Sequence, residues 1–240
     1  MHYFASDIHL GAKPTEKSRL VEQRFVEWLD EIEPTAETLF LLGDVFDFWF
    51  EYGEVVPKGF VRVLGRLADM TRKGIKVIFF TGNHDMWVGD YLQKECGITV
   101  YKSPQQFTIA SRNILLAHGD NINIKGQPML RLMNAIFRSR TLKFLLSWLI
   151  HPNLTLKFGK WWSGSSRKSH GEESSLRFLD PLKEFAAQYA SKNKVDCFIF
   201  GHMHIVSQSD EPRCYFLGDW QQGANWLEMD AEGNITQQTE

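Results

Sequence analysis

The chain has 240 residues and a formal net charge of −2, with 43% hydrophobic and 23% charged residues. These values are typical of globular domains and exclude a small isolated module or a disordered chain. The three cysteines lie far apart without a CxxC motif, so neither a disulfide framework nor a sulfur-ligated zinc site is indicated. No basic segment followed by an apolar stretch opens the sequence, which predicts a cytoplasmic protein without a signal peptide.

Short apolar segments rich in β-branched or aromatic residues recur along the chain, and each predicts a buried strand. These segments are Tyr3–Ala5, Thr38–Leu42, Lys76–Phe80, Asn113–Ala117, Val195–Phe200 and Cys214–Leu217. Apolar residues at helical spacing predict helices over Lys17–Ile32 and Phe60–Met70. Further strands are predicted at 106–110 and in the tail after residue 213, which makes the second half partly antiparallel. We therefore expect one α/β domain over residues 1–240, a sandwich of two mixed β-sheets flanked by helices.

Residues 121–171 are unusual in charge, because they contain nine of the 27 lysines and arginines and no acidic residue. The rest of the chain then has 18 basic and 29 acidic residues, a net charge of −11. The window falls between two predicted strands, so we expect an inserted helical cap there. Its charge indicates an anionic partner, or else a basic surface that compensates acidic neighbours.

The apolar part of this window, residues 129–150, is bounded by Pro128 and Pro152 and has 14 apolar and four cationic residues. It predicts a single helix about 33 Å long. Four cations make a transmembrane span unfavourable. The composition favours a helix at a membrane surface or along an acyl-chain groove, although it also fits an amphipathic cap that packs on the core. We expect acyl chains to contact Leu142, Phe144, Leu145, Trp148 and Leu149, and the anionic groups to meet Lys125, Arg167 and Lys168.

Polar residues, usually beside glycine, follow five successive predicted strands. They are Asp7 and His9, then Gly43-Asp44, Gly82-Asn83-His84-Asp85, His118-Gly119-Asp120 and Gly201-His202-Met203-His204. Taken singly, each motif is as typical of a turn or a helix cap as of a ligand site. Together they indicate one site, because the carboxyl ends of strands in an α/β sheet form the ligand crevice.

Seven of these residues are candidate metal ligands: Asp7, His9, Asp44, Asn83, His118, His202 and His204. Imidazole, carboxylate and amide ligands suit manganese, iron or zinc. Seven ligands are too many for one tetrahedral zinc ion. They fit two ions about 3.5–4 Å apart, the arrangement that supports in-line phosphoryl displacement. The sequence therefore predicts a dinuclear phosphoesterase.

This ordered set of motifs resembles the calcineurin-like metallophosphoesterase superfamily over nearly the whole chain. The resemblance implies one metal held by Asp7, His9, Asp44 and His204, and a second held by Asp44, Asn83, His118 and His202. It implies catalytic roles for Asp44, Asn83 and His84, with His84 as a cation or proton donor beside the reacting phosphate. Asp47 and Asp85 are expected to orient histidines, Asp85 through His84.

Four segments are similar to the UDP-2,3-diacylglucosamine diphosphatase family of lipid A synthesis, in which many members have arginine at the position of His84. They are Asp7-Ile8-His9-Leu10, Gly43-Asp44-Val45-Phe46-Asp47-Phe48-Trp49, His151-Pro152-Asn153-Leu154 and Trp162-Ser163-Gly164-Ser165-Ser166-Arg167. The similarity implies cleavage of a lipid-linked UDP-sugar to UMP and 2,3-diacylglucosamine 1-phosphate with two divalent ions, usually Mn²⁺. It also implies a peripheral location on the cytoplasmic face of the inner membrane and no nucleic-acid partner. The implied substrate-binding residues are Asn83, His84, Ser163, Arg167, His170 and His202.

Other functions remain open on the residues alone. A soluble phosphodiesterase or protein phosphatase would use the same site without needing the apolar surface of residues 121–171. A nuclease would use the basic window for phosphates and the Trp161-Trp162 pair for base stacking. The non-enzymatic alternative is a metal-binding interaction scaffold, and the presence of all seven candidate ligands disfavours it.

Overall fold

The computed structural model describes residues 1–12, 14–122, 128–137, 139–167 and 172–240. Its strands are β1 (His2–Ala5), β2 (Thr38–Leu41), β3 (Lys76–Phe80), β4 (Thr99–Tyr101), β5 (Gln105–Ile109), β6 (Arg112–Ala117), β7 (Cys197–His204), β8 (Ser207–Asp210), β9 (Arg213–Gly218), β10 (Asn225–Met229) and β11 (Ile235–Thr239). They form a six-stranded sheet in the order β11-β10-β1-β2-β3-β4 and a five-stranded sheet in the order β5-β6-β7-β9-β8. Both sheets contain parallel and antiparallel pairs, so the predicted sandwich of two mixed sheets is confirmed.

The helices are α1 (Thr15–Ile32), α2 (Val61–Arg72), α3 (Tyr91–Cys96), α4 (Pro128–Phe137), α5 (Arg140–Leu149), α6 (Pro152–Arg167) and α7 (Glu172–Ala190). Helices α4, α5 and α6 lie inside the acid-free window and are called the cap helices below. Among the described residues, no helix combines the length and apolar character that a membrane crossing requires.

The central strands are apolar on both faces because both faces are buried. In β1, Phe4 packs between the two sheets, while Tyr3 and Ala5 pack beneath the helices of the first sheet. Helices α1 to α3 cover that outer face, and α7 covers the outer face of the second sheet. Burial on both sides explains why the sequence shows continuous apolar runs rather than alternation.

Strand direction determines where the polar strand ends meet. β1, β2 and β3 are parallel neighbours in the first sheet, and β6, β7 and β9 are parallel neighbours in the second. Backbone bonds tie these ends together, including Gly201 N–H to His118 O at 3.0 Å and Trp220 N–H to Asp7 O at 3.1 Å. The carboxyl ends of six strands therefore lie along one edge of the sandwich.

The prediction of a single helix over 129–150 is wrong. The structure has two helices there, and α4 ends at Phe137. The Ser139 side chain accepts a hydrogen bond from the Leu142 N–H at 3.3 Å and so caps a new helix, α5. A local capping residue thus overrides a continuous apolar pattern.

Strand β7 is longer than predicted, because it continues past Phe200 to His204. Its pairing with β9 is interrupted between these two residues. Such an irregularity turns side chains away from regular alternation. The Gly-His-x-His motif therefore lies in an irregular strand end rather than in the loop that follows it.

Candidate metal centre

The structure brings all seven predicted ligand residues to the shared strand edge. Three sets of side chains have ligand atoms within 4.8 Å of one another: Asp7, His9 and His204; His9, Asp44 and His84; and Asp44, His118 and His202. The Asn83 Oδ1 atom lies 3.2 Å from His118 Nε2. His9 and Asp44 each belong to two sets, so the three sets form one continuous cluster.

Two glycines allow the strand ends to approach this closely. Gly43 has a φ of +91°, and a Cβ atom there would lie 2.6 Å from His118 Nδ1. A Cβ atom on Gly82 would lie 2.2 Å from Asp44 Oδ1. Any larger residue would therefore push Asp44 or His118 out of the cluster.

Five candidate ligands have backbone conformations that residues other than glycine rarely adopt. Their positive φ values are 56° for Asp7, 51° for His9, 51° for Asp44, 69° for His202 and 56° for His204. Each such residue costs on the order of 1–3 kcal/mol. Backbone bonds such as His9 N–H to Asp44 O at 3.0 Å hold the strain in place. Strain concentrated on one polar cluster is typical of a functional site.

Asp7 anchors the first half of the cluster. Its Oδ2 accepts a hydrogen bond from the His202 N–H at 2.8 Å, which orients the carboxylate. Its Oδ1 is buried without a hydrogen bond of good geometry and lies 3.2 Å from His204 Nε2 and 3.7 Å from His9 Nε2. The two Nε2 atoms are themselves 3.2 Å apart. One carboxylate oxygen and two imidazole nitrogens that converge in this way fit a cation.

Asp44 occupies the corresponding place in the second half. Its Oδ1 accepts the His84 N–H at 2.8 Å, while its buried Oδ2 has no hydrogen bond and lies 3.4 Å from His118 Nε2. The His118 Nδ1–H donates to Leu42 O at 2.8 Å, which turns Nε2 toward Asp44. One carboxylate is thus fixed by the backbone and offers its other oxygen to the cluster.

The buried carboxylates and imidazoles strongly perturb one another. Burial opposes ionisation of Asp7, yet the adjacent imidazoles of His204 and His9 hold the pKa of Asp7 well below its usual value. Burial likewise opposes protonation of the imidazoles, but neighbouring carboxylates raise the pKa of His9 to about 9, and those of His118 and His204 to about 10. The carboxylates therefore require nearby positive charge, which imidazolium groups or metal cations can provide.

His202 behaves differently from the other three histidines. Burial, followed by the neighbouring charge of His118, lowers the pKa of His202 to about 4. Its ring lies 5.0 Å from that of His118, measured between centroids. A buried neutral imidazole is the form that coordinates a metal.

Asp85 does not act through His84 as predicted. Its carboxylate accepts backbone N–H groups, from Val45 at 2.9 Å and from Gly82 at 2.7 Å. Burial and the charge of Asp44 raise the pKa of Asp85 to about 7. Asp85 therefore orients the loops that carry Asp44 and His84, because its short buried carboxylate accepts hydrogen bonds from the backbone N–H groups of these loops.

Asp47 contacts two histidines of the cluster, which is compatible with the histidine-orienting role predicted for it. Its Oδ1 lies 3.6 Å from His9 Nδ1, and its backbone oxygen accepts the His84 Nδ1–H at 2.9 Å. Oδ1 also accepts the hydroxyl of Ser163 at 2.7 Å. Of the influences on the His84 imidazole, burial is the largest, and it lowers the pKa of that group.

Asp219 is a site residue that the sequence reasoning missed. Its Oδ2 lies 3.3 Å from His204 Nδ1, and its Oδ1 accepts the N–H groups of Gln221 and Gln222 at 2.9 and 3.0 Å. The signal was present, because Gly218-Asp219 follows strand β9 just as Gly43-Asp44 follows β2. The carboxylate holds the His204 ring with Nε2 toward Asp7.

The predicted substrate residues are only partly described. Ser163 lies on α6, fully buried, with its hydroxyl on Asp47. Arg167 ends α6, and its side chain lies outside the described residues. Lys125, Lys168 and His170 also lie outside them.

The cap helices expose many apolar side chains. Among the side chains of this segment that the structure describes, ten large apolar ones are exposed: Leu132, Ile136, Phe144, Leu145, Trp148, Leu149, Ile150, Leu154, Phe158 and Trp161. Four of the five residues predicted to contact acyl chains are among them, and Leu142 is half-buried. The opposite side of the cap packs on the main domain, where Phe137, Leu146 and Leu156 contact Phe48, Phe50 and Trp87.

Comparison with known proteins agrees with this geometry. The family model described as calcineurin-like phosphoesterase matches residues 3–206. The UDP-2,3-diacylglucosamine hydrolase of Porphyromonas gingivalis is 34% identical over 235 residues, which cover 91% of this chain and 89% of that protein. The enzymes of the same name from Edwardsiella ictaluri and Haemophilus influenzae are 29% and 28% identical, and the matches cover 96% and 97% of this chain and 88% and 96% of theirs.

The chain therefore belongs to the calcineurin-like phosphoesterases, a family of hydrolases that use divalent metal ions. The buried cluster fits such ions on its own chemistry. Two carboxylate oxygens, Asp7 Oδ1 and Asp44 Oδ2, are buried without hydrogen bonds from the described residues, and each faces imidazole nitrogens within 4 Å. Buried carboxylates of this kind are stable only when imidazolium groups or metal cations neutralise them.

Proposed function

We propose that the protein hydrolyses the pyrophosphate bond of UDP-2,3-diacylglucosamine, giving UMP and 2,3-diacylglucosamine 1-phosphate. The observation that carries this proposal is a cluster of candidate metal ligands that contacts, through Asp47 and Ser163, a set of helices with exposed apolar side chains. A diphosphate needs the first feature and acyl chains need the second. The names of the full-length relatives support the same substrate.

In this proposal Asp7, His9, Asp44 and His204 hold one ion, and Asp44, Asn83, His118 and His202 hold the other. Two divalent ions, Mn²⁺ by resemblance, would activate water and stabilise both oxygens of an in-line displacement. Asp44 would belong to both ligand sets, and its Oδ2 accepts no hydrogen bond from the described residues. Backbone N–H groups hold the carboxylates of Asp7 and Asp44 in place, so metal binding would need little reorganisation.

His84 would stand beside the reacting phosphate as a cation or proton donor. The His84 Nδ1–H donates a hydrogen bond to Asp47 O. The other ring nitrogen, Nε2, therefore faces the cluster and lies 3.9 Å from Asp44 Oδ2. Burial favours the neutral ring in the free protein. An arriving diphosphate supplies the negative charge that favours protonation. His84 and Asn83 would then orient the phosphate that is attacked.

The exposed face of the cap helices would receive the acyl chains. Burial of each methylene contributes about 0.8 kcal/mol, so a few carbons outweigh a single hydrogen bond of about 1 kcal/mol to the sugar. The same face would rest on the inner leaflet of the membrane as a peripheral contact. Acyl recognition would therefore dominate specificity, and the basic residues of the window would meet phosphate groups.

The apolar surface weighs against a soluble phosphodiesterase, which has no use for it. A nuclease would find stacking surfaces in Phe144, Trp148, Phe158 and Trp161, which are exposed, but six of the ten exposed large apolar residues described in the cap are aliphatic. We therefore expect no nucleic-acid partner.

The direct test is product analysis by mass spectrometry. Purified protein with Mn²⁺ is incubated with UDP-2,3-diacylglucosamine and, in parallel, with unacylated UDP-N-acetylglucosamine. We expect UMP and the acylated sugar 1-phosphate from the first and little product from the second. Equal cleavage of both would overturn the lipid assignment, and cleavage of neither would overturn the proposed reaction.

A further inference from the structure

One face of helix α6 is built for close contact with the segment that follows β2. Thr155, Gly159 and Ser163 recur every four residues and are all buried, so they share one side of the helix. A Cβ atom on Gly159 would lie 2.3 Å from the Phe48 ring. The helix therefore docks on this segment at a distance that only a glycine allows.

The last of these residues connects the cap to the metal centre. The Ser163 hydroxyl donates to Asp47 Oδ1 at 2.7 Å, across 116 residues of sequence. The same Oδ1 lies 3.6 Å from His9 Nδ1, and the Asp47 backbone oxygen accepts the His84 Nδ1–H. Asp47 thus contacts α6 on one side and two histidines of the cluster on the other.

We propose that Ser163 is a positioning residue that couples docking of helix α6 to metal binding through Asp47 and His9. The inference rests on the proposed role of His9 as a metal ligand. A partner on the second ring nitrogen of a ligating histidine fixes the orientation of the ring. Ser163 holds Asp47 Oδ1 within 3.6 Å of His9 Nδ1, and this charge contact favours the ring orientation that directs His9 Nε2 at Asp7 and His204.

The coupling acts in both directions, because a linkage between two equilibria is reciprocal. Docked α6 strengthens metal binding, and bound metal strengthens the docking of α6. The other side of α6 exposes Leu154, Phe158 and Trp161. The helix that presents apolar side chains to solvent is therefore the helix that supports His9.

The first measurement is Mn²⁺ affinity, by calorimetric titration of the metal-stripped full chain. Ser163→Ala should weaken binding at one site about 10-fold. The matched control is Thr155→Val, which removes a buried hydroxyl on the same helix face, one that has no hydrogen bond among the described residues. It should bind as wild type does. Equal affinity in Ser163→Ala and wild type overturns the coupling.

A double-mutant cycle separates positioning from general loosening of the fold. Asp47→Asn alone should also weaken binding about 10-fold, and the double variant with Ser163→Ala should lose less than the product of the two single effects. Independent, multiplicative losses would show that Ser163 does not act through Asp47. That result would overturn the proposal.

Hydrogen exchange gives a readout that does not depend on activity. Added Mn²⁺ should slow amide exchange in α6 of wild type and of Thr155→Val, but not in α6 of Ser163→Ala. Protection that rises equally in all three would overturn the coupling. A wild-type chain that binds no Mn²⁺ would instead overturn the proposed function, so the two failures are distinguishable.

Discussion

The strand-end cluster and the cap helices depart in opposite ways from the usual pattern of burial, in which apolar side chains are buried and charged ones are exposed. In the cluster, charged side chains are buried: Asp7 and His9 are fully inaccessible. In the cap, large apolar side chains face solvent, and Trp148 is 78% exposed. Buried charge and exposed apolar surface are each costly. In the proposed function each would be offset by a ligand of matching chemistry, a cation in the first region and a lipid in the second.

The two regions also differ in how they are held. The cluster lies on parallel strands buried on both faces, with ligands fixed by backbone bonds and strained φ values. Among the described residues, the cap helices contact the domain through an apolar cluster around Phe48, Phe50 and Trp87 and through polar bonds such as Lys143 Nζ to Trp87 O at 2.9 Å. Substitutions in the cluster should therefore affect chemistry on any substrate. Substitutions on the exposed cap face should affect only acylated substrates.

The largest effect is expected at the point where both halves of the cluster meet. Asp44→Ala removes the carboxylate that His118 and His84 both face, so turnover of every substrate should fall to background. Steady-state assays with a generic phosphodiester and with the lipid substrate test this. Asp180→Ala, an exposed carboxylate on α7, should be neutral. Turnover above about one tenth of wild type at saturating metal would show that Asp44 does not bridge.

His84→Ala should lower turnover by about 10²–10⁴-fold without loss of bound metal, if His84 acts on the phosphate. Parallel measurement of rate and metal content tests this, because His84 also lies near His9 and Asp44. A matching loss of metal would make His84 a ligand instead. His84→Arg should keep substantial activity, since arginine also supplies positive charge beside the phosphate.

Asp219→Asn should weaken metal affinity about 10–100-fold. The amide keeps the oxygen that binds Gln221 and Gln222 but places an N–H group where Oδ2 faces His204 Nδ1. Excess metal should restore much of the activity, since no ligand atom is removed. Asp230→Asn, in an exposed turn with a similar bond to Asn234, is the control. Unchanged metal affinity in Asp219→Asn would contradict the role assigned to Asp219.

The cluster was predictable because its position follows from strand direction. His9 and His204 are 195 residues apart, yet their ring nitrogens lie 3.2 Å apart, as expected for ligands at the carboxyl ends of strands. Strand β3 has the predicted bounds, because a run buried on both faces is unambiguous. Five motifs in order provided the redundancy that a single motif lacks.

What the sequence did not reveal depends on contacts between distant residues. Asp219 is one carboxylate beside one glycine, a pattern that is also typical of a turn, and only its approach to His204 distinguishes it. The contact of Ser163 with Asp47 joins residues 116 positions apart and has no local signature. The break between α4 and α5 had a local signal, the capping residue Ser139, but the long apolar run concealed it.

The cap face provides the sharpest separation of the two regions. Replacing Leu145 and Leu149, both exposed on α5, with aspartate should lower kcat/KM for the diacylated substrate at least about ten-fold, because a buried leucine contributes about 1.5–3 kcal/mol. Hydrolysis of bis-p-nitrophenyl phosphate should be unchanged, and binding to anionic lipid vesicles should weaken. Both rates and vesicle co-sedimentation are measured on the same preparations.

Leu20→Asp is the matched control for this pair, because Leu20 is an exposed leucine on α1, away from the cap. It should change neither rate nor vesicle binding. If the double variant loses both activities equally, the cap face is structural and α5 supports the cluster, as α6 is proposed to do. If it loses neither, the exposed apolar surface does not serve the acyl chains, and a soluble phosphodiester becomes the better substrate. Only selective loss is consistent with one rigid cation site and a separate lipid face.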